Sequence, residues 1–470
     1  MINVSLQWLA ETLSAELIGT SNGAELMVDK VSTDTRSDLS DTLFIALRGA
    51  NFDAHDFIPE AAESGAKAVV CERPMDVTIP QLIVADCRQA LGQLGAAVKA
   101  QVKPKTIAIT GSNGKTTVKE MLASILSRKH PVLATQGNFN NDIGVPLTLL
   151  RLTPEHQYAV IELGANHPGE IGYTTSLTRP DVAILNNVSA AHVEGFGSLQ
   201  GVARAKTEIF RGLDHSGLAI TTWHSEFLPC WQRNREGKRL QTFGFDAQAD
   251  VYASEVSLDE EGCAQFTLHL FGQQARVSLQ LSGMHNVLNA LAAATAAHEL
   301  GIDLKDITLG LQALQPVAGR LTTYKLAPGL RLIDDSYNAS VASTKAALDL
   351  LSTYQGYQIM VLGDMGELGP ESRAYHEEIG AHALTCDIDN LLTVGVLSQS
   401  ASEVFNGRGG KHFSSHQKLV DEILQIITQQ NSRQPVTVLV KGSRSAHMER
   451  IVDALKEQAV VKPEKDQHAC

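Results

Sequence analysis

The spacing of hydrophobic and polar residues changes character along this chain and divides it into segments. A helical spacing of apolar positions opens the chain, at Leu6, Leu9, Ala10, Leu13 and Leu17. Short apolar runs separated by turn residues follow it. From Thr106 onward, apolar runs of strand length alternate with helical patterns, which is typical of parallel sheets with right-handed crossovers. Stretches of period two between residues 240 and 280 predict an antiparallel flap, after which the alternation resumes.

These patterns predict an α/β protein of three domains. At 470 residues the chain is too long for one hydrophobic core, since domains run to roughly 100 to 200 residues. The polar segment around Pro104 and the linker-like segment around Arg320 contain the predicted boundaries. We therefore expect a small α/β domain over 1–103, a central parallel-sheet domain over 104–315 and a second open parallel sheet over 316–460.

Composition and charge narrow the classes of function. The net charge of -13 gives no general attraction to nucleic acid. The six cysteines show neither CxxC nor zinc spacing, so they indicate no disulfide framework and no structural metal site, as fits a reducing cytoplasm. Early acidic residues, Glu11 and Glu16, do not suit a signal peptide, and no apolar stretch is long enough to span a membrane. We expect a soluble, cytoplasmic protein and a monomer, although the sequence carries no signal for oligomeric state.

The segment 109–117, "ITGSNGKTT", predicts a phosphate site. It differs from the Walker A pattern, because Ile109 stands where that pattern has its first glycine. A β-branched strand precedes the loop and an amphipathic helix follows it, so backbone N–H groups and the helix N-terminus would face an anion. Lys115 would add a charge, and Thr116 a hydroxyl for Mg²⁺; an ordinary glycine turn is the alternative. The predicted phosphate-binding residues are Gly111, Ser112, Asn113, Gly114, Lys115, Thr116 and Thr117.

The loop resembles the T-G-[TS]-[NK]-G-K-[ST] signature of the Mur ligases and their folylpolyglutamate synthetase relatives. Three further residues follow in the order found in that family, namely Glu162 at a strand end, His192 just after another strand, and Lys206 in a helix. The resemblance implies that these three hold Mg²⁺ together with Thr116, and that Lys206 is carbamylated. A carbamate supplies the hard oxygen ligands that Mg²⁺ prefers, and its formation requires a neutral amine. Read singly, the three could be a solvated strand end, a surface loop histidine and a solvated helical lysine.

The same resemblance assigns residues to the rest of the nucleotide and to a sugar-nucleotide substrate. Asn286 and Asn289 share a helix face and would read adenine, although helix-surface asparagines have other uses. Arg320 would contact the terminal phosphate and Asp335 the ribose hydroxyls. The loop "GNFNND" supplies substrate-binding candidates, unless it is simply a turn: Asn138, Asn140 and Asn141.

Two further regions indicate a particular activity within the family. The N-terminal "STDTR" and "DAHDF" resemble its uridine-nucleotide-binding domain, with Ser32, Thr33, Arg36 and His55 as side chains facing the substrate and Asp34 and Asp53 as possible turn residues. The C-terminal part resembles the family's Rossmann-like domain but lacks the "DNPR" signature of the ligase that adds a diamino acid. It has "DDSYNAS", "VLGDMGELG" and "KGSRSAHME" instead, as in the ligase that adds D-alanyl-D-alanine. Its dipeptide-pocket candidates, which could equally cap the last helix, are Asn338, Lys441, Ser443 and Arg444.

The implied enzyme is an ATP-dependent, Mg²⁺-dependent amide ligase of peptidoglycan precursor synthesis. It would join D-alanyl-D-alanine to UDP-N-acetylmuramoyl-tripeptide through an acyl phosphate, with closure of the third domain onto the second. Its catalytic residues would be Lys115, Lys206, His192 and Arg320. The alternatives are another Mur ligase that adds the third amino acid, a folylpolyglutamate synthetase, and a non-enzymatic nucleotide-binding protein. The sequence leaves open the third residue of the peptide, the number of Mg²⁺ ions and the base that deprotonates the amine.

Overall fold

The first part of the chain folds around a small, mostly parallel sheet. A computed structural model describes residues 1–19, 25–49, 52–190, 193–233, 237–405 and 407–458. The elements of this part are β1 (Val4–Ser5), α1 (Leu6–Leu13), β2 (Glu16–Ile18), β3 (Met27–Val28), β4 (Lys30–Ser32), β5 (Thr42–Ile45), α2 (Ile58–Glu63), β6 (Ala68–Cys71), β7 (Gln81–Ile83) and α3 (Cys87–Val102). The sheet has the strand order β2-β7-β6-β5-β4, and β1 pairs with β3 separately.

The predicted first helix is shorter than its apolar spacing indicated. Ser14 adopts a left-handed conformation with φ 50° and ends α1, so Leu17 lies in β2 and not on the helix. Ser5 starts the helix by accepting a hydrogen bond from the Trp8 N–H. Leu17 therefore matched a helical period by coincidence, because apolar positions in a short strand after a tight turn can fall on the same spacing.

The central part of the chain forms a larger sheet. Its elements are β8 (Lys105–Thr110), α4 (Lys115–Leu126), β9 (Val132–Ala134), α5 (Gly144–Leu149), β10 (Tyr158–Glu162), α6 (Glu170–Thr178), β11 (Val182–Leu185), α7 (Val193–Phe196), α8 (Leu199–Thr207), β12 (Leu218–Thr222), α9 (Leu228–Arg233), β13 (Arg239–Gly244), β14 (Val251–Leu258), β15 (Cys263–Leu270), β16 (Gln273–Ser282), α10 (His285–Glu299) and α11 (Leu304–Ala313). The strand order is β16-β15-β14-β13-β12-β11-β8-β10-β9. The strands β14, β15 and β16 are antiparallel, as predicted for residues 240–280, but they continue this sheet through β13.

The position of β8 in this order decides where a ligand can bind. It lies between β10 and β11, and both are parallel to it. The carboxyl ends of the three strands therefore lie side by side, at the edge where open α/β sheets bind ligands. Helices α4 and α10 pack on one face of the sheet, in a core that includes Val118, Leu122, Ala290 and Ala294.

The last part of the chain is a second open sheet, as the sequence predicted. Its elements are β17 (Thr322–Ala327), β18 (Leu330–Asp335), α12 (Val341–Leu351), β19 (Tyr357–Gly363), α13 (Ser372–Thr385), β20 (Asn390–Val394), α14 (Gln399–Val404), β21 (Gly410–Phe413), α15 (His416–Gln430), β22 (Val436–Lys441) and α16 (Glu449–Gln458). The strand order is β17-β18-β22-β19-β20-β21, with only β17 antiparallel to its neighbour within the described residues. The domain limits stated above stay a prediction. None of the helices in the described part of the chain has the length and apolar character to cross a bilayer.

Candidate active site

A cavity of about 920 Å³ lies between the central and the C-terminal sheets. A volume of this order suits a small-molecule site. Many residues singled out by sequence line it: Ser112, Asn113, Gly114, Lys115, Thr116, Thr117, Asn140, Glu162, Asn286, Asn289, Arg320, Asp335, Asn338, Lys441, Ser443 and Arg444. Eight candidates in described segments lie outside its lining, among them Gly111, Lys206, Ser32, Thr33, Arg36 and His55. Asn138 and Asn141 are also outside it, and His192 falls outside the described residues.

The glycine loop joins β8 to α4 and directs the N-terminus of α4 at the cavity. Gly114 has φ +78°, and a Cβ there would lie 2.4 Å from Asn289 Oδ1 and 2.6 Å from Asn186 Nδ2. Only glycine fits this position, because both the backbone conformation and the close neighbours exclude a side chain. The loop therefore presents backbone N–H groups and a helix N-terminus, as predicted for a phosphate site.

Lys115 is the first residue of α4 and lies across the loop. Its Nζ donates to the carbonyl oxygen of Gly111 at 2.7 Å. Desolvation lowers the pKa of the Lys115 ammonium; the Glu162 carboxylate opposes that shift, and the Arg320 guanidinium adds to it. A lysine held in this way puts its charge at the mouth of the loop, where the phosphates of a nucleotide would lie.

Thr116 and Glu162 form the centre of a polar cluster. The Thr116 hydroxyl donates to Glu162 Oε2 at 2.9 Å, and Arg320 Nη2 donates to Thr116 Oγ1 at 3.0 Å. Asn140 Nδ2 donates to the other carboxylate oxygen, Oε1, at 2.8 Å. Glu162 is only 3% exposed, and these hydrogen bonds hold both of its carboxylate oxygens in place. A hydroxyl and a carboxylate at one point provide the hard oxygen atoms that suit Mg²⁺.

Lys206 lies in the last turn of α8 and is 1% exposed. A 3-10 turn over Glu208–Gly212 follows α8. Within the described part of the chain, the Lys206 ammonium has no hydrogen-bond acceptor, and Nζ lies 6.0 Å from the centre of the Phe196 ring. Burial lowers the pKa of this amine well below its usual value, and the charge of Lys115 lowers it further. The neutral amine is therefore favoured, which is the form that reacts with CO₂.

A series of hydrogen-bonded asparagine side chains supports the glycine loop. Asn289 Nδ2 donates to Asn286 Oδ1, and Asn186 Nδ2 donates to Asn289 Oδ1, both at 2.9 Å. Asn186 Nδ2 also donates to the carbonyl of Asn113 in the loop. Asn187 Oδ1 accepts a hydrogen bond from the Asn113 N–H at 2.8 Å. These amides fix the loop's backbone to the end of β11.

Sequence reasoning missed several of these residues. Asn186 and Asn187 directly follow β11, and Ser189 exchanges hydrogen bonds with Ser112. The signal that could have found them is their place just after the carboxyl end of a parallel strand. His285 also lines the cavity, and burial, helped by Lys441, lowers its pKa to about 4. Its ring is thus uncharged at neutral pH.

The C-terminal sheet contributes the opposite wall. Asp335 ends β18 and accepts from Lys441 Nζ at 2.5 Å; Lys441 ends β22 and also donates to the Asn338 carbonyl. Burial raises the pKa of the Asp335 carboxyl, while Lys441 counteracts that effect. Ser340 Oγ donates to Asn113 Oδ1 at 2.8 Å and so joins this wall to the glycine loop.

Arg320 and the last-helix segment complete this wall. The Arg320 guanidinium stacks 4.2 Å from the Tyr337 ring centre, which orients the side chain toward Thr116. Ser443 donates through both its N–H and its hydroxyl to the Asp364 carbonyl. Arg444 is 63% exposed and pairs with Glu449 in the first turn of α16. Ser443 and Arg444 thus line the cavity, and Arg444 also contacts the first residue of α16.

The candidates in the N-terminal part lie in a compact turn. Arg36 makes two hydrogen bonds to the Asp34 carboxylate, at 2.9 and 2.7 Å, and its side chain is 88% exposed. Ser32 Oγ donates to the Asp34 carbonyl. Asp34 is therefore a turn-forming residue, as the sequence suggested. Asn138 and Asn141 are exposed, and Asn141 Oδ1 accepts from the N–H of Gly144, the first residue of α5.

His55, which the sequence predicted to face the substrate, is a buried side chain in the structure. It is fully buried, its Nδ1 lies 2.5 Å from Asp53 Oδ1, and its Nε2 accepts from the Glu72 N–H at 2.9 Å. Both ring nitrogens are thus used inside the fold. The motif "DAHDF" places histidine next to a turn, and only the packing of that turn shows that its ring points inward.

We expect His55→Ala to lower stability without changing substrate binding. The change leaves the Glu72 N–H without its partner and opens a cavity, which together cost about 3 kcal/mol of the free energy of unfolding. Urea denaturation measures this loss, and the KM for the sugar nucleotide should stay within about twofold, since both ring nitrogens bond to residues of the protein. A raised KM with unchanged stability would contradict the structural role.

Comparisons with known proteins agree along nearly the whole chain. Three family models match: the Mur ligase family catalytic domain at residues 28–130, the Mur ligase middle domain at 109–297 and the Mur ligase glutamate ligase domain at 319–444. UDP-N-acetylmuramoyl-tripeptide–D-alanyl-D-alanine ligase from Escherichia coli is 47% identical over 458 residues, or 97% of this chain and 99% of that one.

Solved structures give the same result. A crystal structure of MurF from Acinetobacter baumannii superposes with a TM-score of 0.93 at 39% identity, covering 97% of this chain and 100% of that one. MurF ligase from Thermotoga maritima in complex with ADP has a TM-score of 0.82 at 26% identity, covering 91% and 97%. The sheets, the glycine loop and these full-length relatives together lead to one conclusion: this chain belongs to the Mur ligase family.

Proposed function

We propose that the protein is an ATP-dependent amide ligase that joins D-alanyl-D-alanine to UDP-N-acetylmuramoyl-tripeptide in peptidoglycan synthesis. The observation that carries this proposal is the relative of that name, 47% identical along 97% of the chain. The proposal agrees with a cavity between two open α/β sheets that has a phosphate-type loop on one wall. We propose that the protein works in the cytoplasm, as a monomer, with the domain limits predicted above.

ATP would lie with its phosphates on the glycine loop. Lys115 precedes Thr116 in the chain and Arg320 donates to the Thr116 hydroxyl; both cations would stabilise the charge of the transferred phosphoryl group. Asn286 and Asn289 would be near adenine and Asp335 near the ribose. Because the side chains of the two asparagines already bond within the protein, their second role would be to keep the loop in shape.

Mg²⁺ fits the oxygen atoms gathered at the loop. Thr116 and Glu162 would hold it, together with a carbamate on Lys206 and with His192. Mg²⁺, when bound, neutralises charge on the phosphate oxygens. The Lys206 amine would gain CO₂ and lose one proton on forming the carbamate; its burial, its lack of an acceptor in the described residues and its lowered pKa support this step.

The two other substrates would approach from opposite sides of the loop. Asn140 holds Glu162 and so connects the "GNFNND" loop to the reaction site. Residues proposed for the sugar nucleotide are Ser32, Thr33, Arg36, Asn138, Asn140 and Asn141. Residues proposed for the dipeptide are Asn338, Lys441, Ser443 and Arg444. Lys441 would act mainly by fixing Asp335 and Asn338, because it is only 2% exposed.

The reaction follows from these positions. The free carboxylate of the tripeptide attacks the γ-phosphorus of ATP, ADP leaves, and an acyl phosphate forms. The amine of D-alanyl-D-alanine then attacks the acyl carbon; the C–O bond to phosphate breaks and the amine loses a proton. His192 or the Lys206 carbamate is the candidate base. The protein's own contribution is to align three reactants and to exclude water from the closed cleft.

A coupled assay of ADP release tests the proposal. We expect ADP only when ATP, UDP-N-acetylmuramoyl-tripeptide and D-alanyl-D-alanine are all present, with the pentapeptide product detected by mass spectrometry. A parallel reaction with a folate and glutamate should release none. ADP formed with the folate pair, or with a free diamino acid and the dipeptide nucleotide, would assign another activity of the family. No ADP under any condition would favour a binding protein.

A further inference from the structure

A second cluster of metal-ligating side chains lies on the C-terminal sheet, away from the cavity. Asp349 belongs to α12, His382 to α13, and Cys386 is the residue that ends α13. One ligand atom of each, carboxylate oxygen, ring nitrogen and sulfur, lies within 4.8 Å of the other two. Across the described segments of the chain, this is the one group of at least three such residues with that geometry.

The fold brings these atoms together for identifiable reasons. His382 and Cys386 are one helical turn apart, so their side chains leave the same face of α13. One turn earlier on both helices, Lys345 pairs with Glu378, which keeps α12 and α13 in register. His382 Nε2 lies 2.6 Å from Asp349 Oδ1, and Cys386 Sγ lies 3.6 Å from the same oxygen. Asp349 thus stands between the other two side chains.

The donor atoms select the kind of ion. Sulfur, imidazole nitrogen and carboxylate oxygen together suit Zn²⁺, whereas Mg²⁺ prefers oxygen atoms alone. We propose that Asp349, His382 and Cys386 bind one Zn²⁺, with a fourth position left to water. This site is separate from the nucleotide site, and it takes part in no step of the ligase reaction.

The proposed ion would act as a clip between two helices. The α12 helix starts after Ser340, which lines the cavity and bonds to Asn113 of the glycine loop. Asp349 lies nine residues further on, which is about 14 Å along the helix axis. Binding at this distance would not touch the substrates. It would tighten the contact between α12 and α13 and so steady one wall of the cavity, raising the melting temperature of the full chain.

Cobalt titration of the full-length protein tests the site, because Co²⁺ substitutes for Zn²⁺ and is visible in spectra. We expect about one equivalent of Co²⁺ to produce a thiolate-to-cobalt charge-transfer band, and Zn²⁺ to remove it. Cys386→Ser should abolish the band and weaken binding at least 100-fold, since even partners outside the ligand shell contribute roughly 10 to 100-fold. His382→Gln should weaken binding by a similar factor but keep a weaker sulfur band at saturating cobalt.

Two matched variants serve as controls. Cys230→Ser removes an exposed thiol from α9, and Glu162→Gln alters the proposed Mg²⁺ site; both should keep the band. Circular dichroism confirms that each variant folds. A wild-type protein without the band, a band that survives Cys386→Ser, or a band lost only in Cys230→Ser or Glu162→Gln would overturn the proposal.

Discussion

Lys115→Met is expected to reduce ADP release by about 1000-fold. The ammonium of Lys115 donates to the loop carbonyl of Gly111, and phosphoryl transfer depends on charges that stabilise the transferred group. Methionine keeps the length of the side chain and removes only the charge and its hydrogen bonds. The loss should therefore appear mainly in kcat. The coupled assay measures it with ATP as the varied substrate and with saturating sugar nucleotide.

Lys105→Met is the matched control. Lys105 starts the same strand, β8, at the opposite end, where it forms an exposed ion pair with Asp181. Exposed ion pairs of this kind contribute little to the free energy of unfolding, and this pair lies at the other end of the strand from the loop. ADP release should therefore stay within about twofold of the wild-type rate. Retention of more than a tenth of the activity in Lys115→Met, with a folded protein, would remove Lys115 from the phosphoryl-transfer step.

Lys206→Ala is expected to lower turnover by at least about 100-fold and to recover in part when formate or acetate is added. The loss follows from the removal of a proposed oxygen ligand of Mg²⁺. Removing a residue that only hydrogen-bonds to a metal ligand already lowers activity by roughly 10- to 100-fold, and removing a ligand should lower it at least as much. Rescue follows from the space that the alanine leaves at a fully buried position, which a small carboxylate can enter. Initial rates at several carboxylate concentrations measure both effects.

Lys206→Met distinguishes rescue at the site from a general salt effect. Methionine occupies the space of the lysine side chain, so added carboxylate should give no recovery. In the wild-type protein, ¹³CO₂ should produce a carbamate signal in ¹³C spectra that both variants lack. Activity of Lys206→Ala equal to wild type would remove the lysine from the site. Equal rescue of both variants would contradict the carbamate.

The glycine loop shows what sequence reasoning reaches well. A β-branched strand, a glycine turn, Lys115 and an amphipathic helix are consecutive in the chain, and their local order suffices to place a helix N-terminus at the end of a strand. The position of Glu162 could also be predicted from local order, because it ends the strand β10. Because parallel strands share one ligand-binding edge, local order also predicts that Glu162 and the loop meet.

Contacts made by side chains of distant segments could not be predicted in this way. Asn186 and Asn187 support the loop through bonds to Asn113, but nothing near them in sequence marks that partner. His55 belongs to a motif that matches a substrate-binding domain, yet its ring is buried against Asp53 and Glu72. The spacing of the cysteines indicated no metal site. The proposed zinc cluster contains only one cysteine, and its Asp349 comes from another helix, so no local pattern in the sequence marks it.

The amino-acid sequence by itself determined the α/β class, the two open parallel sheets, the glycine loop between a strand and a helix, and the resemblance to the Mur ligases, because each depends on residues that are neighbours in the chain. Only the tertiary structure decided which polar side chains face the cavity and which are used inside the protein. The direction of a side chain depends on packing between elements far apart in sequence, as Arg320 on Thr116 and Ser340 on Asn113 show. Burial of Lys206, which favours its neutral amine, is a property of that packing alone.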